Sequence, residues 1–199
     1  ALAAELRGRG ERCVVVGAGS GYERSGADQA VIDPADPAHV IRLLEDVGGV
    51  PRGVVHLWAR DEALPADGAG GAELMGACRR AVGSVLHLVQ GLARTGSAEP
   101  PSLWLVTRGA QATGDPGLPP PEPVQAAVWG LGHTIAIEHP ELRCVRLDLD
   151  PVASAEVAAA QLAAEIRAPD GEDEVALRNG VRRVRRLVRA ADRADRIEP

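Results

Sequence analysis

Groups able to do covalent or acid–base chemistry are few in this sequence and far apart. There is one tyrosine, Tyr22, and no lysine, so any mechanism needing a lysine amine is excluded. The five histidines, His39, His56, His87, His133 and His139, fall on different segments. None forms the His-x-x-x-His or Glu-x-x-His spacing that puts two ligands on one helix face. Each reads as a helix-face or strand-face residue, with a ligand or general base as the alternative. His139, beside Pro140, suits the negative end of a helix dipole. Cys13, Cys78 and Cys144 are odd in number and set in or beside apolar runs, which fits reduced cytosolic thiols acting as small hydrophobes. Without a Cys-x-x-Cys pair no metal or redox role is expected of them. Ser84 and Ser102 lack the Gly-x-Ser-x-Gly elbow, so a hydrolase triad has no support.

Two stretches offer binding chemistry instead. Gly17-Ala18-Gly19-Ser20-Gly21 follows the apolar run Cys13 to Val16. Glycines after a strand let backbone N–H groups cradle a pyrophosphate when a helix begins there. Tyr22 to Gly26 carries no apolar helical stripe, so Gly17, Gly19 and Gly21 read as a surface turn, with cofactor binding as the alternative. Near the other end Arg178, Arg182, Arg183, Arg185, Arg186 and Arg189 are opposed by Asp170, Glu172, Asp173 and Glu174. The cluster reads as a solvated strand face paired with carboxylates. The alternative is a docking surface for an acidic partner or a neighbouring domain, with Asn179, Gly180, Arg182 and Arg185 as its candidate contacts.

The elements that must position these groups alternate between strand and helix. Ala1 to Gly8 has Leu2 and Leu6 on one helical face, with Gly8 and Gly10 as stops. Cys13–Val16 and Val31-Ile32 read as short strands. Asp33 to Pro37 gives a turn and cap for a helix whose apolar face is Val40, Leu43, Leu44 and Val47. Val54 to Trp58 is a buried strand, Arg60 to Gly71 a loop, and Ala72 to Arg94 a long helix with Leu74, Cys78, Val82, Val85, Leu88, Val89 and Leu92 as its stripe. Leu103 to Thr107 has the continuous apolar character of a parallel strand covered on both faces. Arg108 to Glu122, rich in Gly and Pro, reads as a lid, an insertion or an edge connection.

The most informative stretch follows. Pro123 opens a helix in which Val124, Val128, Leu131 and Ile135 share a face, and Pro140 ends it. Gly130 and Gly132 each cost about 1 kcal/mol against alanine there, so close helix-to-sheet approach is their expected use. Val145, Leu147 and Leu149 alternate as a strand. Ala153 to Arg167 is an alanine-rich helix anchored by Val157, Leu162 and Ile166. Glu174 to Arg178, Asn179-Gly180 and Val181 onward spell a hairpin, since Asn-Gly takes the positive φ angles of a two-residue turn. Residues 190–199 are charged, lack an apolar face and read as a linker.

Composition agrees with an α/β fold. With 199 residues, 45% of them apolar, 2% aromatic and none of them Phe, the core must be built from Val, Leu, Ile and Ala. One domain of this size buries roughly 70% of its unfolded surface, without help from disulfide or metal. The net charge of −6 weighs against nucleic acid as a partner. No apolar run approaches the ~18 residues of a membrane span and no signal-peptide pattern opens the chain, so a cytoplasmic location is expected.

Leu103 to Gln111 (LWLVTRGAQ), Gln125 to His133 (QAAVWGLGH), Glu138 to Arg143 (EHPELR), Asp148 to Pro151 (DLDP) and Ala168 to Arg178 (APDGEDEVALR) closely resemble the structural subdomain of ketoreductases in modular type I polyketide synthases. Trp104, Gln125, Trp129, Gly130, Gly132, Glu138 and Pro140 carry the motif. The resemblance implies a Rossmann-like, truncated short-chain-dehydrogenase fold over residues 1–189. In that family this half holds no cofactor, and it supports a catalytic half that reduces a carrier-bound β-ketoacyl thioester with NADPH. Implied partners are that half, an enoylreductase of the same polypeptide where one is present, and the acyl carrier protein with its phosphopantetheine. Family members use a Tyr proton donor, a Lys three or four residues later and a Ser. Here the corresponding helix offers Gln125, Val128 and Trp129, and Tyr22 lies far away in the sequence.

Two other readings stay open: an NADPH-binding oxidoreductase fragment using Gly17 to Gly21, and a partner-binding module of a synthase whose reductase is absent or inactive. Three structural expectations follow. A strand ending in a Gly-rich turn should precede Ala1, leaving a vacancy beside Cys13–Val16. At least two of Trp58, Trp104 and Trp129 should be buried in one core with Val106 and Leu131. Trp129→Ala should cost ~3–5 kcal/mol.

Overall fold

The computed structural model describes residues 1–62 and 70–189. The linker expected at 190–199 and the middle of the Arg60–Gly71 loop lie outside those residues. In order, the elements are α1 (Leu2–Arg7), β1 (Val15–Ala18), β2 (Glu23–Ser25), β3 (Gln29–Ile32), α2 (Pro37–Asp46), β4 (Gly53–His56), a 3-10 turn (Trp58–Arg60) and α3 (Gly71–Arg94). Then come β5 (Ser102–Arg108), α4 (Pro123–Glu138), a 3-10 turn (Pro140–Leu142), β6 (Val145–Leu149), α5 (Ala155–Arg167), β7 (Glu174–Arg178) and β8 (Val181–Val184).

The strands are mostly parallel, as expected, but they form two sheets rather than one. β1-β3-β2 is the first and β4-β5-β6-β7-β8 the second, with β2 and β8 the antiparallel members. Glu23–Ser25 had no strand signature. It follows a glycine-rich turn and pairs with β3 beyond the reach of any apolar alternation. β8 completes the expected hairpin, with Asn179 at φ 51° and Gly180 at φ 75° in its turn.

Several boundaries move for identifiable reasons. β1 begins at Val15 rather than Cys13 because β3 offers its first partner there, and the Cys13 carbonyl is taken by Arg7. β4 stops at His56, so Trp58 falls in the 3-10 turn and is only half-buried. Ser154, whose hydroxyl accepts from the Val157 N–H, caps α5 and moves its start to Ala155. Val157 is half exposed and is no anchor; Ala158, Ala159, Leu162 and Ala163 are buried instead.

The core has two halves, one on each face of the second sheet. Leu103 and Leu105 of β5 face α3 and α4, packing with Val85, Val89, Val124, Val128 and Ile135. Trp104 and Val106 face the other way, packing with Leu147, Leu149, Leu162 and Leu177. Side chains alternate across a strand, so β5 needs apolar residues at every position. This corrects the single tryptophan core. Trp104 and Trp129 are both buried, but Trp104 and Val106 join the α5 side while Leu131 packs on the α3–α4 side.

Candidate functional site at the carboxyl ends of the central strands

In a parallel α/β sheet, ligands bind in the crevice beyond the carboxyl ends of the strands. Here that crevice is closed by the chain's own polar groups. Asp148, near the end of β6, is fully buried. Its carboxylate accepts from Thr107 Oγ1 at 2.6 Å, from the backbone N–H of Ala110 at 2.9 Å and Gln111 at 3.0 Å, and from Arg178 Nη2. Arg178, at the end of β7, is 1% exposed and also donates to the carbonyls of Gln111, Asp148, Leu149 and Leu177. Burial of either charge alone would be prohibitive, so the pair is stable only because nearly every lone pair and N–H has a partner.

Neighbouring residues extend the network. Asp150 accepts from the N–H of Asn179 at 2.6 Å and of Val152 at 3.0 Å, tying the hairpin to β6. Gln125 Oε1, on α4, accepts from the Arg108 N–H at 2.8 Å. Arg108 in turn donates to the carbonyls of Asp150 and Ala153. Gly109, at φ +69°, lies against Pro151 where any Cβ would meet the ring at 3.1 Å. What space remains is a cavity of about 260 Å³ between Gln111–Leu118 and Pro151, with Arg178 at its floor. Among the described residues, the Asp148 and Asp150 carboxylates of this crevice are committed to partners within the fold. Arg178 therefore leaves the surface cluster in which its sequence position placed it.

Helix α4 carries most of the motif residues, and the buried ones among them serve packing. Gln125 and Trp129 are buried, Glu138 and Pro140 are exposed at the helix end and the turn after it. Gly132 is required by Arg146: a Cβ there would sit 2.6 Å from Arg146 Cδ. Arg146, 2% exposed, runs under the helix, donates to the Gly132 and Cys144 carbonyls, and reaches Asp173 at 2.6 Å and Glu174 at 3.2 Å. Gly130 has open space around it, so close approach does not explain it. The Arg146 contacts were missed in the sequence, where only the helical Gly132 hinted at them.

The other candidates are dispersed. Tyr22 bonds Asp46 at 2.5 Å and lies beneath the Arg42 guanidinium, on the first sheet's side of the molecule. His133 bridges the Trp129 carbonyl and Glu174 Oε1, His139 meets Glu141, His87 the Pro34 carbonyl, and His39 the Asp33 N–H. His56 is buried beside Trp58, with Nε2 2.9 Å from Ser84 Oγ. Because Ser84 donates to the Ala81 carbonyl, it accepts from His56, which fixes the proton on Nε2. Burial lowers the His56 pKa to about 4. Burial likewise pushes the Cys144 thiol up to about 11, so it is inert. Among the described residues no group of three or more His, Cys, Asp and Glu side chains could hold a metal.

The glycine turn leads into a strand, whereas a pyrophosphate cradle needs a helix to begin there. After Ala18 the chain enters β2, not a helix, so no helix N-terminus points at the turn. Gly19 serves packing, since a Cβ there would lie 2.5 Å from Val31 Cγ1. The arginines of the hairpin are largely paired: Arg182 with Glu165 and Asp170, Arg183 with Asp115, Arg186 with Glu172, and Arg185 with Glu174 at 3.5 Å. Hydrogen bonds donated to the Glu165 and Glu172 carboxylates raise the Arg182 and Arg186 pKa values respectively.

Residues 6–187 match the family model for the Rossmann fold domain of the polyketide synthase extender module SpnB. The chain belongs to that family. This SpnB-type Rossmann domain is 47% identical over 106 residues to polyketide synthase GfsA of Streptomyces halstedii, a match covering 53% of the chain and 1% of that protein. It is 36% identical over 175 residues to pikromycin polyketide synthase component PikAII of Streptomyces venezuelae, covering 84% of the chain and 4% of that protein. Among solved structures it resembles a C2-type ketoreductase from a modular polyketide synthase at TM-score 0.64 and 34% identity, over 81% of the chain and 33% of that structure. More distant short-chain dehydrogenases share the fold. The domain thus spans a small fraction of the curated relatives it matches, 1% and 4% of these two.

Proposed function

We propose that this Rossmann domain is the non-catalytic structural half of a ketoreductase, holding in place a catalytic half elsewhere in the parent synthase. That partner would reduce a carrier-bound β-ketoacyl thioester, with NADPH and the carbonyl held on its own residues. One observation carries the reading: the crevice where a reductase keeps its acid and its ribose-binding lysine is filled here by the buried Asp148–Arg178 network. The helix beside it buries Gln125, Val128 and Trp129 where a proton donor would be needed.

The hairpin supplies a mating surface. β8 is an edge strand with one side unpaired, and Val181, Leu187 and Val188 are all at least half exposed. An open edge and apolar side chains suit strand-to-strand or face-to-face docking. Asn179 and Gly180 set its tip, and Arg182 is committed to Glu165 and Asp170. Arg185, with 73% of its side chain exposed and only a 3.5 Å contact to Glu174, is the most loosely held of the paired hairpin arginines and the one best placed to reach a partner.

Calorimetric titration of residues 1–199 with NADPH, together with an assay on a β-ketoacyl thioester, tests the reading. No binding and no turnover are expected from the chain alone, and activity is expected when the downstream half is added. Micromolar binding with turnover by the isolated chain would replace this reading with that of an active reductase fragment.

A further inference from the structure

One hairpin arginine takes its partner from outside its own sequence neighbourhood. Arg182, Arg185 and Arg186 pair with Glu165, Asp170, Glu172 and Glu174, on α5, the turn after it and the start of β7. Arg183 instead meets Asp115, 68 residues earlier, in the loop that joins β5 to α4.

That loop is fastened unevenly. At its base the Glu122 N–H donates to the Gly109 carbonyl at 2.9 Å, and the N–H groups of Ala110 and Gln111 are held by the Asp148 carboxylate. Beyond Gln111 no residue up to Glu122 is buried. Gly114 and Gly117, at φ 77° and 78°, bracket Asp115, and a Cβ on either would meet nothing within 4 Å. The cavity of about 260 Å³ lies behind this tip, so packing holds it weakly. Thr113 Oγ1 donates to Asp115 at 2.6 Å, but that bond stays within the tip. Among the described residues, Arg183 to Asp115 is the one hydrogen bond or ion pair joining residues 112–121 to the rest of the molecule. Loops open at free energies near zero, so a contact too weak to alter global stability still sets the order of a segment with no other tether. The Thr113 hydrogen bond, and after it Arg183, hold the Asp115 carboxyl below its ordinary range, which keeps both partners charged near neutral pH.

The arginine end of this contact is part of the sheet. Arg183 stands opposite Ala176 of β7. The two-residue turn makes Arg178 and Val181 a hydrogen-bonded pair, and alternation along an antiparallel ladder makes Ala176 and Arg183 the next one. The residue that holds the tip therefore also closes a rung of the hairpin.

We propose that Asp115–Arg183 is a salt-sensitive latch coupling the 112–121 tip to the β7–β8 hairpin, so that loosening either one loosens the other. The latch is made in this structure, with the tip drawn against β8. Such coupling is reciprocal: whatever orders β8 favours the latched tip, and a free tip costs the hairpin some of its order. The inference does not depend on which partner the hairpin meets, nor on whether a downstream half is catalytic.

NMR on 15N-labelled residues 1–199 tests both ends of the latch, through order parameters at Gly114, Gly117 and Leu118 and amide exchange at Val181 and Arg183. At low salt the tip should give order parameters near the rigid value of about 0.85, falling toward about 0.6 in roughly 1 M salt, where charges are screened beyond about 3 Å. Asp115→Asn and Arg183→Gln should each lower the order parameters at low salt, remove their salt dependence and speed exchange at Val181 and Arg183 by roughly threefold or more. The exchanged pair, Asp115→Arg with Arg183→Asp, should restore both readings. Arg186→Gln, which breaks another exposed pair of the same hairpin, should leave the tip unchanged. A wild-type tip already mobile at low salt, single variants with an unaltered tip, a loosened tip without faster hairpin exchange, or an exchanged pair that restores neither reading would each overturn the proposal. Faster exchange spreading to Leu103–Thr107 would mark general destabilisation and overturn it equally.

Discussion

Gly132 and Gly130 stand two apart on α4 and should respond oppositely to the same substitution. Gly132→Ala forces a methyl to within 2.6 Å of Arg146, whose own position is fixed by the Asp173 and Glu174 carboxylates, so a loss of about 1–3 kcal/mol is expected. Gly130→Ala meets nothing and should stabilise by up to about 1 kcal/mol through helix propensity. Urea denaturation of the two variants checks both signs. His56 adds a pH dependence. Its folded pKa of about 4 lies below the ordinary 6.5, so between those values the unfolded chain binds a proton that the folded chain refuses. Stability is therefore full above pH 6.5 and falls as the pH drops toward 4, by about 3 kcal/mol in total. The difference between wild type and His56→Leu, measured across that window, should show this slope; parallel curves would mean that His56 is not the group responsible.

At the scale of elements, the Asp148–Arg178 pair joins β6, β7 and the loop after β5 into one unit. Arg178 contacts the carbonyls of all three, and the Asp148 carboxylate holds the N–H groups that begin the loop. Asp148→Ala leaves a guanidinium buried without its anion and is expected to cost about 3–5 kcal/mol. Arg178→Ala should cost a similar amount, and the double variant clearly less than the sum, because removing both charges removes the desolvation burden together. Additive losses would show that the two side chains act independently. By contrast the exposed hairpin pairs, such as Arg186–Glu172, are screened by solvent and contribute little to the fold.

For the molecule as a whole, the two sides have different work. The crevice is largely filled by structural contacts, while the β8 edge is unpaired with Val181 uncovered, as are Leu187 and Val188 in the chain just after it. If the domain acts through that edge, Val181→Asp with Arg185→Glu should leave the melting temperature of the isolated chain nearly unchanged. The same change should weaken association with the catalytic half by at least about tenfold, the effect of roughly 1.4 kcal/mol. Co-purification and reconstituted reductase activity give two readouts, and unimpaired association would move the interface elsewhere on the domain.

The sequence by itself determined the local elements and the family. The α4 stripe from Val124 to Ile135, the all-apolar β5 and the Asn-Gly turn are short-range patterns, legible because helix and strand periods and turn chemistry act over a few residues. The absence of lysine and the lone Tyr22 were equally plain. Tertiary structure alone decided which polar residues are buried and which neighbours they meet. Arg178 reads as one more member of a basic run, yet it lies under the loop after β5. Arg146 and Gly132 are 14 residues apart in sequence and touch only because α4 folds back over β6. The sequence led to an expected vacancy beside Cys13–Val16, but which strands gather into which sheet was decided only by tertiary structure, because strand pairing is a long-range choice.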